Sequence, residues 1–369
     1  MKALVIGGTG PTGPHLVNGL LERGYRVSIL HRGSHGAEAV PARVERIIGD
    51  PHFRETLREA LARRRFDLVV ATYGRIRYIA EVIAEHTDRL VTVGGAPCYR
   101  GMLSPERLYP AGLPIPVPED ATRVESEEEF RFGHLIRVTE DAVLKGHARG
   151  DFVATHFRYP VVYGPRQITP AVWAVMRRVL DGRTFIVLPE GGLTLITRGY
   201  TENVAHAVLL AVDRPEVAGG QIYNCGDVQQ LSMAQWVEVV ARTMDARLEV
   251  LSVPDAHAYP ARELLPMRCS AHHQLLDLFK IRAELGYADP VPPVEAMART
   301  VRWYLEHSPA PDAPVNADIE AQYRVEDDIA GIHREAGDRL AGVDHLERAF
   351  RHPYPHPKAP NLARDHRAR

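Results

Sequence analysis

The stretch Leu4-Val5-Ile6-Gly7-Gly8-Thr9-Gly10-Pro11-Thr12-Gly13 decides the fold. Its three apolar residues predict a buried strand, and a helical pattern follows from His15 to Arg23. In a strand–glycine turn–helix sequence, backbone N–H groups and the helix N-terminus hold the phosphates of a dinucleotide. We therefore predict that the loop binds a dinucleotide through Gly7, Gly10, Pro11, Thr12 and Gly13. A glycine-rich turn without a ligand is the alternative.

Short apolar runs and helical patterns alternate from this stretch to about residue 160. Further strands are predicted at residues 25–30, 44–48, 67–71, 90–93 and 152–157. This alternation predicts right-handed βαβ crossovers and an α/β fold with a Rossmann-type, doubly wound parallel sheet. We expect the dinucleotide-binding domain to span residues 1–163, with segments returning to it from the later chain.

The pattern loosens after Gly164, where helices and short strands interleave. We predict a smaller interleaved α/β substrate lobe at residues 164–307 and a C-terminal helical extension at 308–369. The extension begins with a proline-rich linker, continues as a helix over residues 319–350 and ends in an extended tail. Its helix is expected either to cap the substrate lobe or to pack on a second subunit in a homodimer.

Composition excludes several classes of protein. The 369 residues carry a formal net charge of −2, which argues against a nucleic-acid partner because phosphate neutralisation needs clustered Lys and Arg. No uncharged apolar run of 18 residues predicts a membrane span. The three cysteines, Cys98, Cys225 and Cys269, are widely spaced, so we expect reduced thiols in a cytoplasmic protein and no metal site.

The end of the second predicted strand bears on cofactor choice. It reads Leu30-His31-Arg32-Gly33, without the acidic residue that would bind the adenosine ribose of NAD(H). Because Arg32 can pair with a 2′-phosphate, NADP(H) is favoured over NAD(H). A solvated Arg32, or one that stacks on adenine, is the alternative. Asp50 is placed to meet the adenine amino group. The other predicted cofactor contacts lie near strand ends, at Pro51, Thr72, Tyr73, Gly94, Tyr159 and Pro160.

Several motifs carry a family resemblance. The stretches GGTGPTGPHLV, RYPVVYGPR (158–166), GYTENVAHAVLLAVDRP and GGQIYNCGD resemble the NAD-dependent epimerase/dehydratase group of the extended and atypical short-chain dehydrogenase/reductases. The resemblance covers residues 1–307. It implies an oxidoreductase, epimerase or dehydratase that acts on a small or nucleotide-linked substrate. An atypical subgroup includes stem-loop-binding proteins, so the resemblance also suggests RNA as a partner. The near-neutral net charge argues against RNA binding.

The catalytic residues that the resemblance implies are missing. The family uses a Ser or Thr, a Tyr as general acid/base and a Lys four residues after that Tyr. Gly133 and Glu140 fix the register of the helix, which places Phe132 at the Tyr position and Ile136 at the Lys position. The Ser position falls on Gly95 or its neighbour. Phe cannot exchange a proton and Ile cannot tune one.

Other side chains are candidates to replace the missing groups. Tyr99 and His134 are the candidate catalytic residues, and Arg75, Tyr163, Arg166 and Arg198 are the candidate substrate contacts. For each of them packing or solvent exposure is an equal alternative. Two functions follow from these patterns: an NAD(P)-dependent oxidoreductase, isomerase or lyase with an atypical site, or a non-catalytic dinucleotide-binding sensor or scaffold.

Overall fold

The computed structural model describes residues 1–33, 39–167, 171–344 and 359–360. The chain divides into a unit at Met1–Asp327 and a small second unit at Asp328–Arg369. The first 20 residues of the predicted extension thus belong to the larger unit. The predicted tail at residues 352–369 lies almost wholly outside the described residues.

Eleven strands occur in the described ranges. They are β1 (Lys2–Ile6), β2 (Arg26–His31), β3 (Glu45–Ile48), β4 (Leu68–Ala71), β5 (Arg89–Gly95), β6 (Val153–Tyr159), β7 (Val161–Tyr163), β8 (Phe185–Pro189), β9 (Arg198–Tyr200), β10 (Ile222–Asn224) and β11 (Glu249–Val253). Seven form one sheet in the order β10-β6-β5-β4-β1-β2-β3, and every pairing in it is parallel. The predicted Rossmann-type sheet is confirmed, and β10 is a later segment that returns to its edge.

The helices of the described residues connect and cover these strands. They are α1 (Gly13–Glu22), α2 (Arg54–Leu61), α3 (Ile76–Ile83), α4 (Glu127–Arg149), α5 (Ala171–Leu180), α6 (Thr201–Asp213), α7 (Pro215–Ala218), α8 (Met233–Thr243), α9 (Phe279–Leu285), α10 (Pro293–Glu306) and α11 (Ile319–Ala341). The helix predicted at 319–350 thus ends at Ala341, and residues 345–350 lie outside the described ranges. No described helix combines the length and the apolar character needed to cross a membrane.

Strand β1 shows why both faces of the sheet are covered. Ala3 and Val5 pack into a core that includes residues of α1 and α6. The alternate residues, Leu4 and Ile6, pack into a second core that includes residues of α2 and α3. All four side chains are fully buried, as expected for a parallel strand between two helical layers.

Two short parallel sheets lie outside the large one. Strand β8 pairs with β11, and β7 pairs with β9 so that Val161 is opposite Arg198. Since β7 directly follows β6, this pairing sets Arg198 beside the carboxyl end of the large sheet. In open parallel sheets that end is where ligands bind.

Candidate functional site

The loop between β1 and α1 makes a tight turn that depends on its glycines. Gly7 has a φ of +96°, and a Cβ there would lie 2.6 Å from Thr72 Oγ1. A Cβ on Gly13 would lie 2.2 Å from the Gly8 carbonyl oxygen. At Gly10 a Cβ would have only the Gly7 carbonyl oxygen within 4 Å, at 3.4 Å. The loop is therefore tight where it packs and open at Gly10, which suits the approach of a diphosphate to the start of α1.

Residues predicted to hold the adenosine end lie together after β2, β3 and β4. Arg32 and Asp50 line a shallow cavity of about 390 Å³, and the Arg32 guanidinium lies 5.6 Å from the Tyr73 ring centre. Burial works against ionisation of Asp50, but hydrogen bonds from His52 and the charge of Arg32 lower its pKa overall. Pro51 packs against Gly74, because a Cβ added to Gly74 would lie 2.6 Å from Pro51 Cβ. These residues fit an adenosine with a nearby positive charge.

The positions that correspond to the missing catalytic residues meet at the end of β5. A Cβ on Gly95 would lie 3.7 Å from Ile136 Cδ1, and one on Gly94 would lie 3.6 Å from Ile136 Cγ2. Phe132, one turn earlier on α4, is 45% exposed and faces a cavity. The helix is anchored upstream by Ser126, whose hydroxyl accepts the Glu129 N–H at 3.3 Å. The register deduced from the sequence therefore brings Gly95 and Ile136 together in space.

This cavity, which we call the inner cavity, has a volume of about 290 Å³. Ala96, Pro97 and Pro160 line it near the sheet, and Met102, Leu103, Ile196 and Leu276 give it an apolar surface. Among its described lining residues only Arg198 and Glu263 are titratable. The Glu263 carboxylate accepts hydrogen bonds from Arg178 at 3.3 Å and Gln322 at 2.8 Å. The described lining thus offers no free acid or base.

Arg198 is the unusual side chain of the inner cavity. It is 5% exposed, and its guanidinium donates a hydrogen bond of 3.4 Å to the Leu264 carbonyl oxygen and lies 5.2 Å from the Trp236 ring centre. Among the described residues no carboxylate pairs with it. Burial lowers its pKa to about 10. A buried guanidinium with only a carbonyl partner favours an anionic ligand, because an uncompensated buried charge is costly.

Tyr99 lies outside the inner cavity, in a buried polar network. Its hydroxyl donates to Asn224 Oδ1 at 2.7 Å and accepts from Arg158 at 2.6 Å. Arg158 in turn pairs with the fully buried Glu140 through two bonds of 2.7 Å. Burial raises the pKa of the Tyr99 hydroxyl well above its usual range. These contacts place the Tyr99 hydroxyl in a buried polar network, and its predicted catalytic role stays a prediction.

His134 also lies outside the lining of the inner cavity. Its Nδ1 accepts a hydrogen bond of 3.3 Å from Arg137 on the same helix, and it is not among the residues lining that cavity. The structure therefore brings neither candidate catalytic residue to the cavity.

The other predicted contacts are spread over the sheet edge. Arg75 is exposed and lies over the rings of Phe53 and Tyr78, on the adenosine side. Arg166 is exposed and has a φ of +64°. Tyr163 is buried and donates to Asp227 at 2.8 Å. Only Arg198 of the four substrate candidates lines the inner cavity.

Of the cofactor candidates after β6, Tyr159 is buried with its hydroxyl donating to the Val204 carbonyl oxygen at 3.2 Å. Pro160 lines the inner cavity. Sequence reasoning missed Glu263 and its partner Arg178, which come from distant segments. It also missed Arg158, although the RYPVVYGPR motif holds that residue.

Comparisons with known proteins agree with this architecture. A model of the NAD dependent epimerase/dehydratase family matches residues 3–226. A 3-diazoavenalumate denitrifying reductase from a Streptomyces species is 26% identical over 260 residues, covering 67% of this chain and 82% of that protein. A UDP-N-acetyl-alpha-D-glucosaminuronate decarboxylase from Bacillus cytotoxicus is 20% identical over 334 residues, covering 83% of this chain and 98% of that protein.

Solved structures share the fold at low identity. UDP-glucose 4-epimerase from Thermotoga maritima, with UDP-glucose, superposes with a TM-score of 0.68 and 19% identity over 83% of this chain and 99% of that one. The dTDP-glucose 4,6-dehydratase from Bacillus anthracis, in complex with NAD, gives a TM-score of 0.65 and 16% identity over 83% and 97%.

Proposed function

Because the chain belongs to the NAD-dependent epimerase/dehydratase family, we propose that it is an NAD(P)-dependent reductase whose substrate accepts a hydride without a proton from a side chain. The observation that carries this proposal is the inner cavity itself. Phe132 lines it where the resemblance implies Tyr, and the titratable residues of the described lining are Arg198 and Glu263, whose carboxylate is already bonded. Gly95 and Ile136 stand where the resemblance implies Ser and Lys.

The glycine loop and the adenosine residues are proposed to hold the cofactor. Gly7, Gly10 and Gly13 bring the backbone to the diphosphate, and Asp50 and Tyr73 flank the adenosine. Arg32 supports NADP(H) over NAD(H), because a guanidinium pairs well with a 2′-phosphate and no acidic residue ends β2. Pro160, at the carboxyl end of the sheet, lines the inner cavity and is proposed to contact the cofactor.

The missing proton donor restricts the substrate. A bound reduced nicotinamide supplies a hydride, which carries two electrons. Hydride addition to a carbonyl leaves an alkoxide that must be protonated, and Phe132 cannot do so. Addition to a cationic acceptor, such as an iminium or diazonium group, gives a neutral product and needs no acid. The apolar lining would hold such an acceptor away from water.

Arg198 is proposed to bind an anionic group of the same substrate. A carboxylate fits its planar donors in a bidentate geometry and would neutralise the buried charge. The name of the Streptomyces relative describes a reductase of 3-diazoavenalumate, a diazo compound named as the anion of an acid. That name agrees with a substrate carrying both a carboxylate and an electron-poor nitrogen group.

Two matched acceptors test the proposal. With the enzyme and reduced cofactor, 4-carboxybenzenediazonium should be converted to benzoate and N₂, because hydride replaces the diazonium group with loss of nitrogen. The aldehyde of the same size, 4-carboxybenzaldehyde, should not be reduced. Rates are compared with those of the cofactor alone and of Arg198→Met. Faster reduction of the aldehyde, or a diazonium rate equal to that without enzyme, would refute the proposal.

The same absence of acid and base favours one other candidate, a dinucleotide-binding sensor or scaffold without catalysis. Isomerase and lyase reactions are less well supported, since they too require proton transfers. Binding of the cofactor without turnover of either acceptor is the outcome that would favour the sensor.

Two expectations about the setting of the enzyme stay predictions. The three cysteines are free thiols, which supports a reducing, cytoplasmic compartment. The homodimer rests on the sequence resemblance alone.

A further inference from the structure

We propose that residues 314–325 complete the substrate site by walling a second cavity, and that the substrate is a carboxylic acid long enough to occupy both cavities. This inference rests on the proposed function, which places the carboxylate at Arg198 in the inner cavity. Residues 314–325 lie beyond the segment, residues 3–226, that the family model matches.

The second cavity, which we call the outer cavity, has a volume of about 790 Å³. It is bounded by α5, by residues 259–268 and by residues 314–325. Ala171, Glu263, Leu265 and Met267 line both cavities. These shared residues form a partition, one layer of side chains thick, between the two cavities.

Buried polar contacts hold the wall in place. Arg178 on α5 bonds to Glu326 at 2.5 Å, and both side chains are at most 1% exposed. Gln322 donates to the Pro260 carbonyl oxygen at 2.9 Å and to Glu263 at 2.8 Å. Because a buried ion pair gives little net stability over apolar packing, its presence here fits a positioning role.

A further anchor lies at the start of the wall, where the Trp173 indole N–H donates to Asn316 Oδ1 at 2.8 Å. These contacts fix residues 314–327 against the substrate lobe at both ends. Residues 314–325 are therefore fixed by specific contacts within the larger unit.

The partition itself is strained. Met267 and Arg268 have φ values of +49° and +58°, a left-handed conformation that costs each non-glycine residue about 1–2 kcal/mol. This turn leaves the Met267 side chain 61% exposed where the two cavities meet. A flexible thioether at this point can move aside for a ligand that passes between the cavities.

Most residues that line the outer cavity are apolar. Tyr259, Leu265, Val315, Ala321 and Val325 supply apolar surface. Of its polar members, Glu263 and Gln322 bond to one another, and the charged residues Arg268 and Asp318 are exposed. An aromatic or aliphatic tail, extending away from the carboxylate at Arg198, matches this surface.

Binding of two carboxylate probes to the full chain tests the inference. The short probe is cinnamate and the long probe is 4-benzyloxycinnamate, each titrated by calorimetry with saturating oxidised cofactor. The long probe should bind wild-type protein at least tenfold more tightly, because its added ring enters the outer cavity. Ala321→Phe places a ring in that cavity, where it should exclude the added ring of the long probe, abolish the advantage and leave the affinity for cinnamate unchanged.

Arg324→Phe is the matched control, since Arg324 is exposed on the same helix and lines neither cavity. It should bind both probes as wild type does. Equal affinity of wild type for the two probes, or equal losses in both phenylalanine variants, would overturn the inference alone. If neither probe binds, or if Arg198→Met binds cinnamate normally, the placement of the carboxylate fails with it.

Discussion

Replacing Arg198 with methionine should strengthen the fold and weaken ligand binding. Burial lowers the pKa of this guanidinium from 12.5 to about 10, so the folded protein holds its charge less favourably than the unfolded chain does. At about 1.4 kcal/mol per pKa unit, that difference is about 3 kcal/mol. Methionine removes the charge and keeps an apolar body of similar length.

Part of this gain is offset by lost contacts. The substitution removes the 3.4 Å hydrogen bond to Leu264 and the contact with Trp236, which together contribute about 1–2 kcal/mol. The free energy of unfolding should therefore rise by about 1–2 kcal/mol without ligand. The melting temperature should rise by about 3 °C. Arg198→Lys keeps the buried charge and should give no such gain.

Carboxylate binding should change in the opposite direction. A charge-assisted hydrogen bond contributes about 1.5–3 kcal/mol, so Arg198→Met should weaken binding of cinnamate about 10- to 150-fold. The uncharged amide of the same shape, cinnamamide, should bind wild type and variant alike. Calorimetry measures both affinities, and denaturant unfolding measures stability. A variant that unfolds more easily and still binds cinnamate normally would refute the reasoning.

Three further predictions concern the cofactor, the wall and the core. Arg32→Asp should weaken NADP⁺ binding more than NAD⁺ binding in thermal-shift titrations, since it replaces the phosphate partner by a like charge; an unchanged preference would exclude a phosphate contact. Glu326→Gln should lower the free energy of unfolding by less than the roughly 3–5 kcal/mol that an unpaired buried charge costs, because Arg178 keeps its longer contact of 3.3 Å with Glu263. The double variant Arg178→Met, Glu326→Leu should lose much less, and equal losses would contradict this. Burial lowers the pKa of His156 to about 4 from the usual 6.5, so the stability that its neutral ring provides is present above pH 6.5. That stability should be lost as the pH falls from 6.5 toward 4, because the unfolded chain then binds a proton that the folded protein does not. Over this range the free energy of unfolding should fall by about 3 kcal/mol more in wild type than in His156→Gln, as measured by unfolding curves at each pH. An equal fall in both proteins would show that His156 is not the source.

The parts of the molecule that the sequence predicts well depend on local pattern. The strand–loop–helix at residues 2–22 follows from adjacent apolar residues and glycines. The helix at residues 127–149 likewise shows in its local pattern, whereas the proximity of Gly95 to Ile136 is expected only from the family resemblance, which sets the register by Gly133 and Glu140. For the two elements the information lies within a few residues of the feature or in one regular periodicity.

Long-range contacts account for what the sequence does not predict. Tyr99 is placed at the end of a strand as expected, but its hydroxyl meets Arg158 and Asn224, which lie 59 and 125 residues away. The surroundings of Arg198 also come from distant segments, so the sequence does not show whether a carboxylate lies beside it. In the sequence, Glu326 is one of several charged residues on a polar helix, and only the folded structure shows that it forms a buried ion pair with Arg178.

Hydride transfer without a protein acid is the central claim, and an isotope experiment measures it directly. The enzyme is given reduced cofactor deuterated on the transferred position and 4-carboxybenzenediazonium, and single-turnover rates are followed from pH 6 to 9. The account predicts benzoate with deuterium at the position of the lost diazonium group, formed at a rate that does not change with pH. Benzoate carrying solvent hydrogen, or a rate that follows one ionisation across that range, would contradict it.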